Sequence, residues 1–269
     1  MMGNDSPRKA ILVVLLTALV CSSLVSAAVV VLRPIQLNNQ LLDRSRNIMV
    51  LTGLLGADEL PEDDEMLGLF KSLDTRLVNI DEGRFDESID PNTFDMRRAV
   101  NNLELGTQVP PDEDLASIGR RSRYAPVYMV WNDEGLDRVI LPVRGAGMWS
   151  MLYGYIALEA DFTTIAGMSF YEQNETPGLG DQITHEHWLE QWRGKQVYDD
   201  QGSPRFQVSE SEVVAGSVSA PYEVDGLTGA TVTGNAVTGV VRYWFGPHGY
   251  QGFLEHMKAN PPQRREGES

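Results

Sequence analysis

The stretch DGLTGATVTG, residues 225–234, places threonines on both sides of a Gly-Ala pair, just before an apolar run with helical spacing. The start of a helix presents backbone N–H groups without an intrahelical acceptor, together with the positive end of the helix dipole. Phosphate groups bind at such positions. Gly229 and Ala230 keep side-chain bulk away from whatever approaches the backbone there.

The same residues also allow a simpler interpretation. Thr228 or Thr231 could cap the helix, with Gly229 as a turn residue. Asp225 would repel a phosphate unless its side chain points elsewhere or meets a metal ion. The residues alone leave both interpretations open.

A second stretch, YEQNETPGLGD at 171–181, has the residues of a tight loop. Pro177 fixes its φ angle, while Gly178 and Gly180 permit a close backbone turn around Leu179. Such a loop can lay backbone amides and one apolar side chain against a flat ring. The alternative is an ordinary tight hairpin or loop with an exposed leucine.

Two further clusters resemble metal sites but lack a ligand set. His185 and His187 are two residues apart in a predicted helix, so they do not face the same way, and neither a cysteine nor a suitable third ligand is near. The acidic residues 112–114 lack the oxygen spacing of a calcium loop, and we interpret them as a solvated loop. The sequence predicts no metal site.

The composition excludes some classes of protein. A formal net charge of −16 over 269 residues argues against a nucleic-acid partner, since a polyanion would be repelled. The length is sufficient to bury a core without disulfides, and the single cysteine, Cys21, cannot form an internal one.

Residues 10–32 contain no charged side chain. A helix of this length would reach about 35 Å, enough to cross a hydrocarbon core of about 30 Å. A cleaved signal peptide is the alternative, with SAA at 26–28 as the cleavage site, but the apolar run continues beyond it. A lipoprotein at Cys21 is disfavoured by the bulky Val20. We therefore predict an uncleaved membrane anchor.

The charges that flank this anchor give no clear bias in orientation: Arg8 and Lys9 precede it, and Arg33, Arg44 and Arg46 follow it. A short head followed by a long domain favours export of the carboxy-terminal part.

Hydrophobic periodicity predicts an α+β architecture. Helices are expected over 35–56 (Leu41, Ile48, Leu51 and Leu55 on one face), 65–79 (Leu69, Leu73, Leu77 and Ile80), 93–102, 185–195 and 232–244. An acidic loop is expected at 57–65 and a surface loop at 106–123. Two hairpins are predicted by alternating apolar residues around turns: 125–131 with 136–143, and 154–160 with 163–172. Strands are also possible at 206–210 and 211–216.

These elements suggest five segments. They are a head (1–9), a transmembrane helix (10–32), a helical and loop region (33–123), an antiparallel-sheet domain (124–256) and a disordered tail (257–269).

Three motifs resemble a known family. Asp225, Thr228, Gly229, Ala230 and Thr231 fit D-x-x-[ST]-G-A-T, the motif that a flavin transferase reads when it joins FMN to a threonine hydroxyl. ETPGLG with a downstream TGAT resembles the FMN-binding domain shared by the C subunit of the Na⁺-translocating NADH:quinone reductase and the G subunit of the Rnf complex. RGAGMWSMLYGYIAL (144–158) and YEQNETPGLG are similar to the versions in the reductase. The chain is identified as a member of the C-subunit family of this reductase, with the Rnf protein as near neighbour.

The resemblance implies roles for individual residues. It makes Thr231 the acceptor of one covalent FMN, and not Thr233. It implies cofactor contacts from the acceptor motif, from the proline-containing loop and from the glycine-rich stretch: Asp225, Thr228, Gly229, Ala230, Glu175, Thr176, Gly178, Leu179, Gly180, Met148, Trp149 and Ser150. Trp149 has an alternative role as a core or interface aromatic.

The resemblance also implies a function. A protein of this kind relays single electrons within a six-subunit pump of the inner membrane, which oxidises NADH, reduces ubiquinone and exports Na⁺. The implied partners are the A, B, D, E and F subunits, and a flavin transferase during maturation, with the large domain on the periplasmic side. No nicotinamide fingerprint is present, so no complete active site is expected. The alternatives are an Rnf relay and, in a different class, an anchored scaffold domain without cofactor.

Overall fold

A computed structural model describes residues 7–56 and 61–265, in two compact units divided between Arg44 and Ser45. Residues 1–6 of the predicted head, residues 57–60 of the predicted acidic loop and residues 266–269 of the predicted tail lie outside the described residues.

The first unit is helical. Helix α1 spans Pro7–Thr52, and its last two turns belong to the second unit. Its part Pro7–Gln36 is exposed throughout and is long and apolar enough to cross a membrane. This confirms the predicted amino-terminal apolar helix. The helix ends at Thr52, ahead of the predicted stop at Gly56, because Gly53 adopts a φ of +75° that ends helices.

The second unit contains the other elements. In chain order they are α2 (Asp63–Lys71), β1 (Asp74–Asn79), β2 (Arg84–Asp86), α3 (Met96–Ala99), β3 (Gly106–Gln108), β4 (Arg120–Ser122), β5 (Tyr124–Asn132), β6 (Gly135–Ala146), β7 (Met151–Glu159), β8 (Ile165–Glu172), α4 (Glu186–Glu190), β9 (Gln207–Val208), β10 (Glu223–Val224), α5 (Thr231–Trp244) and α6 (Gln251–Ala259).

Six antiparallel strands form the main sheet, in the order β2-β1-β5-β6-β7-β8. Both predicted hairpins are present. The Asn132 side chain accepts hydrogen bonds from the N–H groups of Glu134 and Gly135 in the β5–β6 turn, and Asp161 accepts from Thr163 and Thr164 between β7 and β8. These turns fix the register, and the mixed α+β architecture is confirmed.

The sheet is covered on both faces. One face packs against α5 and α6 through residues such as Val139, Leu141, Ile156, Val240 and Phe253. The other packs against the last turns of α1 and against α2, through residues such as Ile48, Met49, Met66, Ile140 and Tyr155. Strands with two covered faces need apolar residues at nearly every position, and in β5 the six consecutive residues 125–130 are all buried.

The predicted helix over 65–79 is wrong in its second half. Helix α2 ends at Lys71, and Asp74–Asn79 is strand β1, paired with both β2 and β5. All six residues of β1 are buried, so its burial does not alternate along the strand. Leu69, Leu73 and Leu77 have helical spacing only because a helix and a fully buried strand follow each other directly.

Other predicted elements also differ from the structure. The predicted helix at 93–102 is the single turn α3, and 106–123 is not only a loop, since β3 and β4 pair within it. Helix α4 has five residues, and 211–216 forms no strand; β9 pairs with β10 instead. Residues 257–259 of the predicted tail belong to α6, whose Met257 is buried. The predicted boundary at 123 cuts through the main sheet, because β1 and β2 lie before it and the other four strands lie after it.

Candidate functional site

The entrance of α5 is the centre of the site. The helix begins at Thr231, its N-cap is Ala230, and no side chain of the described residues caps it. The first backbone hydrogen bond of the turn runs from the Gly234 N–H to the Ala230 carbonyl. The preceding N–H groups of the helix thus have no intrahelical acceptor. Capping by Thr228 or Thr231, the simpler interpretation of the sequence, is wrong.

The two threonines of the helix entrance are in opposite environments. Thr231 is exposed. Thr233 is 1% exposed, and its Oγ1 donates a hydrogen bond to Glu175 Oε2 over 2.5 Å. Of these two hydroxyls, only that of Thr231 is available to a large reactant.

The side chain of Glu175, in the proline-containing loop, connects this loop to the glycine-rich stretch 144–158 and to the start of α5. Its Oε1 accepts hydrogen bonds from the N–H of Met148 at 3.0 Å and of Trp149 at 3.3 Å, while Oε2 holds Thr233. The residue is 5% exposed, so these donors replace the water that its carboxylate loses on burial. The family resemblance implies a cofactor contact for Glu175, and the structure adds that its carboxylate links the loops.

Glycines allow these loops to approach one another. A Cβ at Gly147 would lie 2.5 Å from Glu175 Oε1, and one at Gly180 would lie 2.8 Å from Thr233 Oγ1. Gly229 has a φ of +75°, and a Cβ there would lie 2.9 Å from Leu179 Cδ2. Any side chain at these three positions would push the loops apart.

Four large apolar side chains of the loops and of the start of α5 are exposed. The exposed fraction is 66% for Trp149, 51% for Met148, 41% for Leu179 and 56% for Val232. The Trp149 Nε1 donates to Thr176 Oγ1 at 3.0 Å, which ties two of the loops together. Trp149 is not a core residue. Exposed apolar side chains of this size are typical of a binding surface.

Asp225 points away from the helix entrance. Its Oδ1 accepts from the Val213 N–H at 2.7 Å, its own N–H donates to Gln191 Oε1, and its carbonyl accepts from Trp188 Nε1. These hydrogen bonds hold Asp225 in place at the start of the loop that precedes α5. The sequence did not identify Gln191, Val213 or Trp188, since nothing in their spacing links them to this loop.

Most of the remaining predicted residues lie in the turns of these loops. Gly178 has a φ of +76°, and the Thr176 carbonyl accepts from the Leu179 N–H at 3.1 Å, which forms the turn around Leu179. Ser150 closes its own loop, because its carbonyl accepts from the Gly147 N–H at 2.7 Å. Thr228 is exposed beside Gly229.

This arrangement fits a phosphate-bearing ligand with a flat ring. The free N–H groups and the Thr231 hydroxyl suit a phosphate, and the exposed side chains of Trp149, Met148 and Leu179 suit a ring system. The residues present are therefore compatible with FMN.

Comparison with known proteins agrees with this geometry. Residues 147–246 match the family described as FMN-binding domain. The chain is 39% identical over 259 residues to the C subunit of the Na(+)-translocating NADH-quinone reductase of Pseudomonas aeruginosa, covering 96% of this chain and 98% of the relative. The corresponding protein of Yersinia pestis is 38% identical, with 95% of each chain covered.

Solved structures show the same relationship. The crystal structure of Shewanella oneidensis NqrC has a TM-score of 0.71 and 38% identity, covering 80% of this chain and 96% of that one. The C subunit of the reductase from Parabacteroides distasonis has a TM-score of 0.59 and 28% identity, covering 83% and 96%. The chain therefore belongs to the C-subunit family of the Na(+)-translocating NADH-quinone reductase, with an FMN-binding type of domain within residues 147–246.

Proposed function

We propose that this chain is the electron-transferring C subunit of a Na⁺-translocating NADH:ubiquinone reductase and carries one FMN as a phosphate ester on Thr231. The observation that supports the acceptor most strongly is the contrast between an exposed Thr231 and a buried, hydrogen-bonded Thr233. Family membership supports the rest.

The attachment requires an activated flavin, because joining a free phosphate to an alcohol releases water and is unfavourable in water. A flavin dinucleotide is such a donor. The Thr231 oxygen bonds to the flavin-side phosphorus, the phosphoanhydride P–O bond breaks, and the nucleoside monophosphate leaves. The hydroxyl proton passes to a base of the flavin transferase. The balanced products are the threonine ester and the monophosphate.

Each part of the site has a distinct task. Bound FMN supplies one- and two-electron redox chemistry. The N–H groups at the start of α5 would hold its phosphate, and Met148, Trp149 and Leu179 would lie against the ring. Glu175 keeps the loops that carry these residues together. The ester removes dissociation, which matters outside the cytoplasm, where free FMN is not available to refill an empty site.

The proposal includes a place in a complex. The apolar helix within Pro7–Gln36 anchors the chain once in the inner membrane, with the large domain in the periplasm. The A, B, D, E and F subunits are its partners, and electrons pass one at a time between an iron–sulfur centre and a second FMN, which the B subunit carries. The chain is a component of an enzyme and not an enzyme by itself.

The alternative of an Rnf G subunit is disfavoured, because the relatives described above carry the name of the reductase's C subunit and match over almost their full length. The scaffold alternative predicts that no flavin is attached, and it is decided by the same experiment as the acceptor.

The test uses the full chain made together with a flavin transferase. The wild-type protein should fluoresce under ultraviolet light on a denaturing gel, and its intact mass should rise by one FMN less one water. Thr231→Val should abolish both signals, whereas Thr233→Val, which also removes a hydroxyl, should keep the fluorescence. The reverse pattern would make Thr233 the acceptor, and an unmodified wild-type peptide around Gly229 would support the scaffold alternative.

A further inference from the structure

A cleft of about 620 Å³ is formed by the residues around α3, the paired strands β3 and β4, and the ends of β6 and β7. Three arginines line it, Arg97, Arg120 and Arg144, together with residues that include Gln108, Tyr153 and Met151.

The cleft is separate from the threonine site. Gly145 faces α5, since a Cβ there would collide with Val240 Cγ2. Successive side chains of a strand point to opposite faces, so the side chains of Arg144 and its cross-strand partner Tyr153 point to the face opposite the Gly145 position, although the Arg144 carbonyl accepts from Trp244 Nε1 of α5. The start of α5 and the loops joined by Glu175 do not contribute to the lining.

The three guanidinium groups differ in how they are held. Arg97 pairs with Glu172 at 2.7 Å and lies 3.7 Å above the centroid of the Tyr153 ring. Arg120 Nε donates to the Val100 carbonyl at 3.1 Å, and Arg144 donates to the Arg120 carbonyl. No ion pair among the described residues includes Arg120 or Arg144.

The charges of Arg120 and Arg144 are therefore not balanced by a carboxylate at ion-pair distance among the described residues, in a chain whose net charge is −16. The Nε atoms of Arg97 and Arg144 are buried without a hydrogen-bond partner among the described residues. Burial lowers the pKa of Arg144, because the cation loses water and the neighbouring Tyr153 hydroxyl offsets this loss only in part. A buried charged group in this condition is stabilised by any anion that reaches it.

We propose that this cleft binds a small anion that carries a phosphate or carboxylate group. Arginine forks bind both groups with two parallel hydrogen bonds. The amide of Gln108 adds a neutral donor, and Met151 provides an apolar wall for a carbon portion of the ligand. The anion reaches this site either as a soluble metabolite or as a lipid headgroup, and both sources present the same chemistry.

The test is a titration of the purified, flavin-loaded full chain at constant ionic strength. Inorganic phosphate and phenyl phosphate are added in separate series, and the thermal unfolding midpoint is followed. We expect the midpoint to rise and saturate, with phenyl phosphate saturating at lower concentration because it also meets the apolar wall. A third series compares bilayer nanodiscs of phosphatidylcholine alone with nanodiscs that contain phosphatidylglycerol.

Variants locate the effect. Arg144→Gln should weaken the saturable response on the order of tenfold or more. Arg98→Gln is the matched control, since its side chain is 90% exposed and adjoins Arg97 in α3. A response with phosphatidylglycerol only would assign a lipid source. Absence of a saturable response in every series, or an unchanged one in Arg144→Gln, overturns the proposal. Flavin fluorescence on a denaturing gel should be the same in all variants, so this outcome is independent of the proposed function.

Discussion

Glu175 and Arg144 are both charged residues removed from water, but they are held in different ways. Glu175 is 5% exposed and accepts hydrogen bonds from three donors on two other segments of the chain. Arg144 is partly buried, donates to a backbone carbonyl, and has a buried Nε without a partner among the described residues. The first charge is satisfied inside the protein and organises it. The second lacks such partners within the protein, and the proposed anion would supply them.

The largest loss of stability is expected when the carboxylate of Glu175 is removed. Glu175→Ala leaves the Thr233 hydroxyl and two N–H groups without an acceptor, and should reduce the free energy of unfolding by about 2–4 kcal/mol. It should also reduce flavin loading, because the loop with Trp149 loses its anchor. Urea unfolding and the flavin-to-protein absorbance ratio measure these effects.

Glu175→Gln provides the matched comparison. Its amide oxygen can still accept from Met148 and Trp149, and its NH₂ group can donate to Thr233 Oγ1. It should recover most of the lost stability. An equal loss in both variants would contradict the role of Glu175 as a link between loops.

A smaller effect is expected from filling the space beside Glu175. Gly147→Ala places a methyl group 2.5 Å from Glu175 Oε1 and 2.8 Å from Leu152 Cδ2, and should destabilise the protein by about 1–3 kcal/mol. Gly68→Ala is the control, since that helical position has no atom within 4 Å of the added Cβ. It should stabilise the protein by up to about 1 kcal/mol. Both are measured by urea unfolding.

The smallest effect on stability is expected at the unsatisfied charge. In buffer without phosphate or carboxylate, Arg144→Gln should change the free energy of unfolding, again measured with urea, by less than about 1 kcal/mol, because relief of the buried charge offsets the lost hydrogen bond. A loss as large as that of Glu175→Ala would show that Arg144 is a structural residue, and the contrast between the two charges would fail.

The sequence predicted the parts of the fold whose signals are local. Helix α5 has an apolar stripe over 14 residues, and the hairpins have alternating residues around Asn132 and Asp161. Strand β1 was missed because burial on both faces removes the alternation. Helix α6 was missed because its nine residues contain Gly252 and adjoin a polar tail. These elements depend on tertiary contacts, which a single chain segment does not contain.

The same limit applies to the site. The loop motifs can be read from the order of residues, and the family resemblance that they carry predicts Thr231, Leu179 and Trp149 as site residues. The internal role of Glu175 could not be read in this way, because its partners lie 26 to 58 positions away in the sequence. The arginine cleft could not be predicted from the sequence either. Arg97, Arg120 and Arg144 are separated from one another by more than twenty residues, and only the folded structure brings them together.

Under the proposed function, the exposure of Thr231 determines when the flavin can be attached. An acceptor inside the core would have to be modified before the chain closes around it, which would couple cofactor insertion to synthesis and export. This hydroxyl stands at the surface of a finished domain. The attachment proposed for Thr231 would therefore not have to precede folding, because the transferase would find this hydroxyl on the folded domain.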